Sequence, residues 1–287
     1  MTTAASLAAR RRNFTRTSAS IPARLLREGK WYLLPAYALA RTSDLAREGI
    51  ESSGSYRFAD HIYRGKPSGR WGIGWLLDAA LLALPAARSM RERYLHSRAH
   101  VAGELRSAAA ARRGTRILSV PCGIARDLVG GADDAQLSVF RALDGARLIG
   151  MDLDPEPLQL SRDLAQSHEA FEFVEGDALD PVAFPRDLDL VVSTGFGEFL
   201  PDAELARFYG ACHAALKPGG RFATSGMSRS RLADQLLREP AELHTHYRNG
   251  AALTAALEAA GFTDVSVRSD RFGLQWLATA TRPLEVA

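Results

Sequence analysis

Five short apolar segments, separated by stretches with helical periodicity, constrain the fold of this chain more than any other feature. They follow Gly114 and occupy residues 116–120, 147–151, 171–174, 188–193 and 220–225. Strands that alternate with helices are typical of a parallel sheet, because parallel neighbours need a long crossover between them. Two later segments, 262–268 and 274–280, flank a turn near Gly273 and predict a closing antiparallel pair. The sequence therefore predicts an α/β fold for residues 114–287.

The residues before Gly114 differ in composition and in hydrophobic periodicity. Residues 1–20 are rich in Ser, Thr, Ala and Arg, and this composition predicts an unstructured tail. Residues 21–113 show helical periodicity without strand alternation. We therefore predict three regions: a tail over 1–20, a helical region over 21–113 and the α/β region over 114–287.

Composition excludes several classes of protein. No apolar stretch approaches the roughly 20 residues that span a bilayer, so no stable membrane insertion is expected. The net charge is +3, and nearly all basic residues are Arg, since Lys occurs only at positions 30, 66 and 217. Basic and acidic residues are mixed along the chain, which favours an ordinary solvated surface over a nucleic-acid-binding stripe.

The cysteines and histidines give no sign of a disulfide framework or a metal site. Cys122 and Cys212 are distant, and no secretory segment precedes them, so a reducing, cytoplasmic setting is expected. His244 and His246 are two positions apart, which is not the spacing of metal ligands on a helix. We predict no metal.

The turn after the first strand contains small residues where a ligand can approach. Pro121, Cys122 and Gly123 follow the strand directly, and a helix follows them. Backbone N–H groups at a helix N-terminus can face such a ligand. Cys122 as a nucleophile is an alternative, but no base is evident nearby, so a small turn residue is favoured.

Acidic residues end the second and third strands. Asp152 ends the second strand, and Asp154-Pro155 fits a helix cap and start. A carboxylate at the end of the second strand can accept the hydroxyl groups of a bound ribose, although NAD-binding folds share this feature. Asp177 follows the third strand in Gly176-Asp177-Ala178, and a carboxylate there can accept from an amine. The G-x-G-x-x-G of dinucleotide enzymes is missing.

Taken in order, five segments resemble those of class I S-adenosylmethionine-dependent methyltransferases over residues 114–287. The segments are Ile117–Leu128, Leu148–Asp152, Phe171–Ala178, Leu188–Ser193 and Leu216–Phe222. Three positions depart from the family pattern. Ser119 stands where an acid is common, and Pro121 and Ala125 replace glycines.

The resemblance implies a Rossmann-like seven-stranded sheet, mostly parallel with an antiparallel C-terminal pair, and a helical N-terminal cap over the active-site cleft. It implies S-adenosylmethionine as cofactor and S-adenosylhomocysteine as product, with Asp152 at the ribose and Asp177 at the adenine. The implied cofactor-binding residues are Pro121, Cys122, Gly123, Asp152, Leu153, Asp177, Ala178, Thr194 and Gly195.

The acceptor side is predicted from two regions. The loop after the fourth strand contains Phe196 and Glu198, which the resemblance places beside the methionine part of the cofactor and the acceptor. Tyr56 and Tyr63 lie with Phe58 and His61 between two Gly/Ser breaks, and polar-tipped rings can line a pocket. Packing of these rings within the helical region is the alternative.

A general base, if the reaction uses one, is predicted among the histidines. His244 and His246 alternate in a segment that the resemblance places over the acceptor, and imidazole can take a proton near neutral pH. His61 and His96 are the competing candidates. The alternative is that Thr245 caps the next helix and both loop histidines are ordinary.

The predicted activity is methyl transfer to the O, N or C nucleophile of a small molecule, by in-line displacement. Two alternatives stay open: an enzyme of the same fold that catalyses another reaction such as cyclisation, and an inactive cofactor-binding scaffold subunit. The sequence leaves the acceptor and the oligomeric state undetermined.

Overall fold

A computed structural model describes most of the chain. The described residues are 20–51, 55–135, 145–166, 168–228 and 245–284. They form two compact units, with the division between Arg91 and Glu92 inside a helix. We call the part up to Arg91 the N-terminal unit and the described residues from Glu92 onward the α/β unit. Residues 92–113, which the sequence analysis grouped with the helical region, cluster with the α/β unit.

The described part of the N-terminal unit is helical. Its elements are α1 (Ser20–Arg27), a 3₁₀ turn (Trp31–Leu33), α2 (Leu34–Ala40), α3 (Asp44–Glu51), α4 (Tyr56–Arg64), α5 (Ile73–Ala83) and the start of α6 (Pro85–Ala110). Ser55 caps α4 by accepting from the Phe58 N–H, and Gly65 ends it with φ +58°. The sequence predicts a helix that opens at Pro22 and runs through Trp31, but α1 ends at Arg27, because the chain turns at Gly29, where φ is +70°.

A small apolar cluster forms the core of this unit. Its buried members are Leu45, Ile62, Leu82 and Ala87. Phe58, Tyr63, Leu81 and Met90 are partly buried and pack against them. Helices α3, α4 and α5 contribute most of these side chains, so the three helices share one core.

The α/β unit contains a seven-stranded sheet in the order β3-β2-β1-β4-β5-β7-β6. The strands are β1 (Thr115–Ser119), β2 (Ala146–Asp152), β3 (Phe171–Glu175), β4 (Leu188–Ser193), β5 (Leu216–Met227), β6 (Thr263–Ser269) and β7 (Gln275–Thr281). The first five pair in parallel, whereas β7 runs antiparallel to both β5 and β6. The predicted fold class is confirmed, including the antiparallel closing pair.

Both faces of this sheet are buried. Leu118, Ile149 and Phe222 belong to one apolar cluster, whereas their neighbours Ile117 and Leu148 belong to another. Successive side chains of a strand point to opposite faces, so continuous apolar runs need cover on both sides. Part of that cover comes from the helices α7 (Arg126–Asp134), α8 (Pro155–Leu164), α9 (Asp202–Ala215) and α10 (Gly250–Ala259).

The sequence of residues 130–134, Gly-Gly-Ala-Asp-Asp, predicts a surface excursion between the first helix and the second strand, and this prediction is wrong. These residues belong to α7, and Gly130 and Gly131 are buried. A Cβ on Gly131 would lie 2.5 Å from Cγ1 of Val101 on α6. The glycines therefore let α6 and α7 approach closely. In the sequence alone, the same pair of glycines indicates a loop.

Two helix caps also differ from prediction. An acid before a helical stretch predicts a cap at Asp202, but Pro201 holds that position and Asp202 is the first residue of α9. Asn249 caps α10 by accepting from the Ala252 N–H, so Thr245 does not.

Within the described residues, no single helix is long and apolar enough to cross a membrane. The adjoining helices α5 and α6 meet the length and composition criteria only as a pair, bent by 66°.

Candidate active site at the carboxyl edge of the sheet

The strand order creates a switch point beside β1. The chain leaves β1 through α7 to reach β2 on one side, and β4 lies on the other side. In doubly wound sheets, ligands bind outside the carboxyl ends of the strands at such a point. The turn after β1, the end of β2 and the loop after β4 therefore form the candidate site.

The turn after β1 is tied to β2 by its backbone. The Cys122 N–H donates to the Met151 carbonyl at 2.8 Å, and the Gly123 N–H donates to Asp152 Oδ2 at 2.8 Å. Gly123 has φ +52°, in the left-handed region that favours glycine, and the Val120–Pro121 peptide is cis. The structure thus brings this turn and Asp152 together.

Asp152 accepts one backbone N–H on each carboxylate oxygen. The second donor is Asp154, whose N–H lies 3.0 Å from Oδ1. Burial raises the pKa of Asp152, and the backbone donors oppose that shift. An ionised carboxylate has about four acceptor positions, so both oxygens retain capacity for further donors such as ribose hydroxyls. The Asp154 side chain caps α8 as predicted.

Cys122 does not have the surroundings of a nucleophile. Burial raises the pKa of its thiol well above the ordinary value, and the charges of Asp152 and Asp127 raise it further. Reactive cysteines need the opposite shift, because the thiolate is the nucleophile. The geometry therefore favours the small-turn-residue interpretation.

Two polar residues that the sequence analysis missed hold this turn. Ser161 on α8 accepts from the Ala125 N–H at 3.0 Å. Asp127 accepts from Ser119 Oγ at 2.8 Å, and burial raises its pKa to about 6. A serine within a helix and an acid in a first helical turn are both common in sequences. The sequence therefore did not indicate that either residue holds this turn.

The turn after β3 adjoins the same edge. The Gly176 N–H donates to the Asp152 carbonyl at 2.9 Å, which joins the ends of β2 and β3. Asp177 Oδ1 accepts from the Leu179 N–H at 2.9 Å, and Ala178 is buried. Asp177 and Asp152 are therefore held at neighbouring strand ends.

The loop after β4 approaches the site through Thr194 and Gly195. Thr194 Oγ1 lies 3.0 Å from Ser97 Oγ, and the Gly195 N–H donates to Ser225 Oγ at 3.0 Å. Gly195 has φ +83°, and a Cβ there would lie 2.5 Å from Nη2 of Arg93. A side chain at this position would be strained, and the Arg93 guanidinium would have to shift to admit it.

A buried ion pair lies under this loop. Arg93 Nη1 donates to Glu198 Oε1 at 2.8 Å, and both side chains are 5% exposed. Glu198 Oε2 is buried and has no hydrogen-bond partner among the described residues. Buried carboxylate oxygens are normally satisfied, so this atom is available to a ligand donor. The sequence predicted Glu198 as a substrate residue but gave no signal for Arg93.

Arg248 also holds the loop after β4 by hydrogen bonds. Its guanidinium donates to the carbonyls of Gly197 and Leu200 at 2.9 and 2.7 Å and pairs with Asp202. The neighbouring His246 N–H donates to the Glu198 carbonyl at 2.7 Å, while its ring is exposed. His246 thus lies beside the predicted substrate residue, whereas His244 falls outside the described residues.

The other candidate bases occupy structural positions. In the N-terminal unit, His61 is 1% exposed, with Nδ1 3.1 Å from Glu48 and Nε2 2.8 Å from Asp78. The hydrogen bond to Glu48 and the charge of Asp78 raise its pKa. In the α/β unit, burial lowers the pKa of His96 to about 4, and Nε2 lies 3.3 Å from the Ala278 carbonyl. Their bonding favours packing over catalysis for both rings.

The aromatic residues predicted on the acceptor side also lie in the N-terminal unit. Phe58 and Tyr63 pack against its apolar cluster. Tyr56 begins α4, and its hydroxyl accepts from Arg57 at 3.1 Å. Phe58 and Tyr63 thus have packing partners within this unit, and the role of Tyr56 and Tyr63 on the acceptor side stays a prediction.

Residues 129–224 match a protein-family profile described as "Methyltransferase domain". The matched residues run from α7 through β5 and include Asp152, Asp177 and the loop after β4. The α/β unit therefore contains a match to methyltransferase domains, and it has the fold of class I S-adenosylmethionine-dependent methyltransferases. S-adenosylmethionine is the cofactor of this domain. No curated protein sequence is significantly similar to the chain.

Solved structures share this fold at low sequence identity. A protein of Bordetella parapertussis named a possible exported protein is 24% identical, with a TM-score of 0.66 over 87% of each chain. The S-adenosylmethionine-dependent methyltransferase SibL is 18% identical, with a TM-score of 0.52 over 91% of this chain and 77% of its own. Magnesium protoporphyrin IX methyltransferase of Synechocystis PCC 6803 is 17% identical, with a TM-score of 0.50 over 83% and 98%.

The methyltransferase domain has polar groups that suit such a cofactor. Asp152 presents a carboxylate with spare acceptor capacity, and Gly123 and Gly195 follow strand ends at the same edge with positive φ. These are the features that binding of a nucleoside at a switch point requires.

Proposed function

We propose that this protein transfers the methyl group of S-adenosylmethionine to a small-molecule acceptor by in-line displacement. The observation that carries the proposal is the convergence at one sheet edge of the Asp152 carboxylate, the Gly123 turn and the buried Glu198 oxygen. The first two suit the cofactor, and the third suits a hydrogen-bond donor on a second ligand. Bound at this edge, the cofactor supplies an electrophilic methyl group on its sulfonium.

The proposed cofactor residues follow from the strand ends. Asp152 accepts from the ribose hydroxyls, and Asp177 accepts from the adenine amino group. The remaining proposed contacts are Pro121, Cys122, Gly123, Leu153, Ala178, Thr194 and Gly195.

The proposed acceptor residues described in the α/β unit are Phe196 and Glu198. Glu198 Oε2 accepts an O–H or N–H of the acceptor and orients it, while Arg93 balances the buried charge. Methyl transfer depends chiefly on alignment of the nucleophile with the methyl and the sulfur, so an orienting carboxylate contributes directly. His246 is the proposed base for an acceptor that must lose a proton, with His244 as its companion in the same segment.

Cofactor binding is tested by calorimetry with S-adenosylhomocysteine. We expect Asp152→Ala to weaken binding by about 1–3 kcal/mol, the loss of a charge-assisted hydrogen bond. Asp154→Ala is the matched control, since Asp154 is a neighbouring acid whose side chain caps α8. Equal affinities for wild type and a folded Asp152→Ala variant would remove Asp152 from the site.

Turnover is tested by mass spectrometry of small phenols, amines and carbon acids incubated with the protein and the cofactor. A mass gain of one methyl group supports transfer. We expect Glu198→Gln to reduce kcat/KM while cofactor affinity is unchanged. Tight cofactor binding with a different product mass would support a non-methylating reaction. Tight binding with no product across the panel would support the scaffold alternative.

The base is tested by single-turnover kinetics. We expect His246→Ala to slow the chemical step by about 10²–10⁴-fold with an acceptor that must lose a proton. A rate within a few-fold of wild type would leave alignment as the main source of catalysis.

A further inference from the structure

The N-terminal unit exposes an unusual amount of aromatic surface. The chain has four tryptophans, and three of them lie in this unit. Trp31, Trp71 and Trp75 are 67%, 82% and 48% exposed. Tyr32 and Leu76 are also exposed, at 62% and 63%. Large apolar side chains exposed together mark an interaction surface.

Two segments carry these side chains, and they are neighbours. The Arg70 N–H donates to the Thr42 carbonyl at 2.8 Å, and Ser43 forms a β-bridge with Gly69. Helix α2, which follows Trp31 and Tyr32, contacts helix α5, which contains Trp75 and Leu76. We call the exposed set Trp31, Tyr32, Trp71, Ile73, Trp75 and Leu76 the aromatic face.

The two sequence segments that carry the aromatic face contain basic but no acidic residues. Residues 29–43 and 61–77 contain no Asp or Glu, whereas they contain two lysines and three arginines at positions 30, 41, 64, 66 and 70. Lys30 and Arg41 pair with Glu28 and Glu51. Lys66 and Arg70 are exposed and have no carboxylate partner among the described residues. Two basic groups beside the aromatic face are thus available to an anionic surface.

Tryptophan, tyrosine and unpaired basic residues together match the chemistry of a lipid headgroup region. Indole and phenol rings favour the membrane–water interface, and lysine and arginine are attracted to anionic headgroups. We propose that the aromatic face seats the N-terminal unit on an anionic membrane surface. The rings lie at headgroup level, and Lys66 and Arg70 face lipid phosphates. The attachment is peripheral, and it is independent of the proposed methyl transfer.

The test is flotation of the full chain with vesicles of phosphatidylcholine alone or mixed with phosphatidylglycerol. We expect binding to the mixed vesicles that weakens as salt increases. Lys66→Glu and Arg70→Glu should each weaken it by about fivefold or more, since each basic residue near the surface contributes about that factor. Trp71→Ala with Trp75→Ala should weaken it by about tenfold or more through lost apolar contact.

The matched control is Val182→Ser, which removes an apolar side chain that is 88% exposed in the α/β unit. This variant should bind like wild type. Quenching of tryptophan fluorescence by brominated lipids tests ring insertion in the unmodified protein, so the proposal does not depend on how a variant folds.

Three results would overturn the proposal. One is equal binding to neutral and anionic vesicles, and another is anionic binding without quenching by brominated lipids. The third is a wild-type dimer that Trp71→Ala with Trp75→Ala converts to a monomer while vesicle binding is absent, which would assign the aromatic face to a second copy of the chain.

Discussion

The two units bury their polar groups for different purposes. In the α/β unit, two large apolar clusters cover both faces of the sheet, and the buried Glu198 and the half-buried Asp127 lie near its carboxyl edge. In the N-terminal unit, one small cluster is accompanied by Asp78, which is fully buried among the helices. The first arrangement leaves acceptor capacity for ligands, whereas the second uses it within the fold.

Asp78 satisfies four donors from three parts of the N-terminal unit. Oδ1 accepts from Ser43 Oγ at 2.6 Å and the Leu45 N–H at 2.8 Å. Oδ2 lies 2.8 Å from His61 Nε2 and accepts from the Ser68 N–H at 3.0 Å. A small unit buries little apolar area, so a shared acceptor that fixes several segments replaces part of a core. The comparison teaches that buried charge is structural in one unit and a candidate ligand contact in the other.

The comparison is tested most strongly at Asp78. We expect Asp78→Ala to destabilise the N-terminal unit by about 3–5 kcal/mol, because it leaves several buried donors without an acceptor. Hydrogen exchange should increase over residues 43–83. Asp133→Ala, which removes an exposed carboxylate on α7, is the control and should change little. Unchanged exchange in the Asp78 variant would show that the apolar cluster alone holds the unit.

The α/β unit should respond instead to loss of apolar volume. Leu118 on β1 is fully buried in one of the two large clusters. We expect Leu118→Ala to cost about 2–5 kcal/mol in urea unfolding. Leu160→Ala on α8 is the control, since Leu160 is 39% exposed. Equal effects of the two substitutions would contradict the tight packing assigned to this face of the sheet.

Ser161 tests a polar contact that serves the site more than the core. We expect Ser161→Ala to cost about 1–3 kcal/mol in stability, because the buried Ala125 N–H loses its acceptor. Affinity for S-adenosylhomocysteine should also fall, since the turn after β1 is less firmly held. Ser161→Cys keeps a weak acceptor and should retain part of both properties. A loss of stability with no change in affinity would separate this contact from the site.

The smallest expected effect is the pH dependence of His61. Its folded pKa is raised by Glu48 and Asp78, so its stabilising contribution is fully present below the unfolded pKa of about 6.5. That contribution is lost as pH rises through the folded pKa. Hydrogen exchange in α4 should therefore accelerate between neutral and alkaline pH beyond the chemical rate. His61→Gln should remove this dependence, and its persistence in that variant would assign it to another group.

The sequence predicted the sheet well because strands that are buried on both faces appear in the sequence as continuous apolar runs. It also named Gly123 and Asp152 as residues at strand ends, and the structure joins them by a hydrogen bond, since parallel strands bring their carboxyl ends to one edge. It failed at Gly130 and Gly131, where glycine serves helix packing instead of a turn. Such packing depends on Val101 of another helix, which no local pattern reveals.

The candidate site likewise contains residues that the sequence indicated and partners that only the structure reveals. Glu198 was predicted from its place after a strand, but its partner Arg93 is 105 positions away in the chain. Arg248 lies two positions after His246 in the sequence. Its hydrogen bonds to the Gly197 and Leu200 carbonyls are visible only in the structure. His61 stays a predicted candidate base, but the Glu48 and Asp78 carboxylates at its two ring nitrogens are visible only in the structure.

By itself, the sequence determined the order of strands and helices, the edge where the site forms and the acids at the strand ends. These properties follow from hydrophobic periodicity and from the fixed geometry of parallel crossovers, which act locally along the chain. The tertiary structure alone decided which buried charges are paired, which glycines admit a neighbouring helix and which tryptophans face solvent. Those outcomes depend on contacts between residues far apart in sequence. The free-energy cost of an unsatisfied charge or an overlapping Cβ depends on which distant residue is in contact with it.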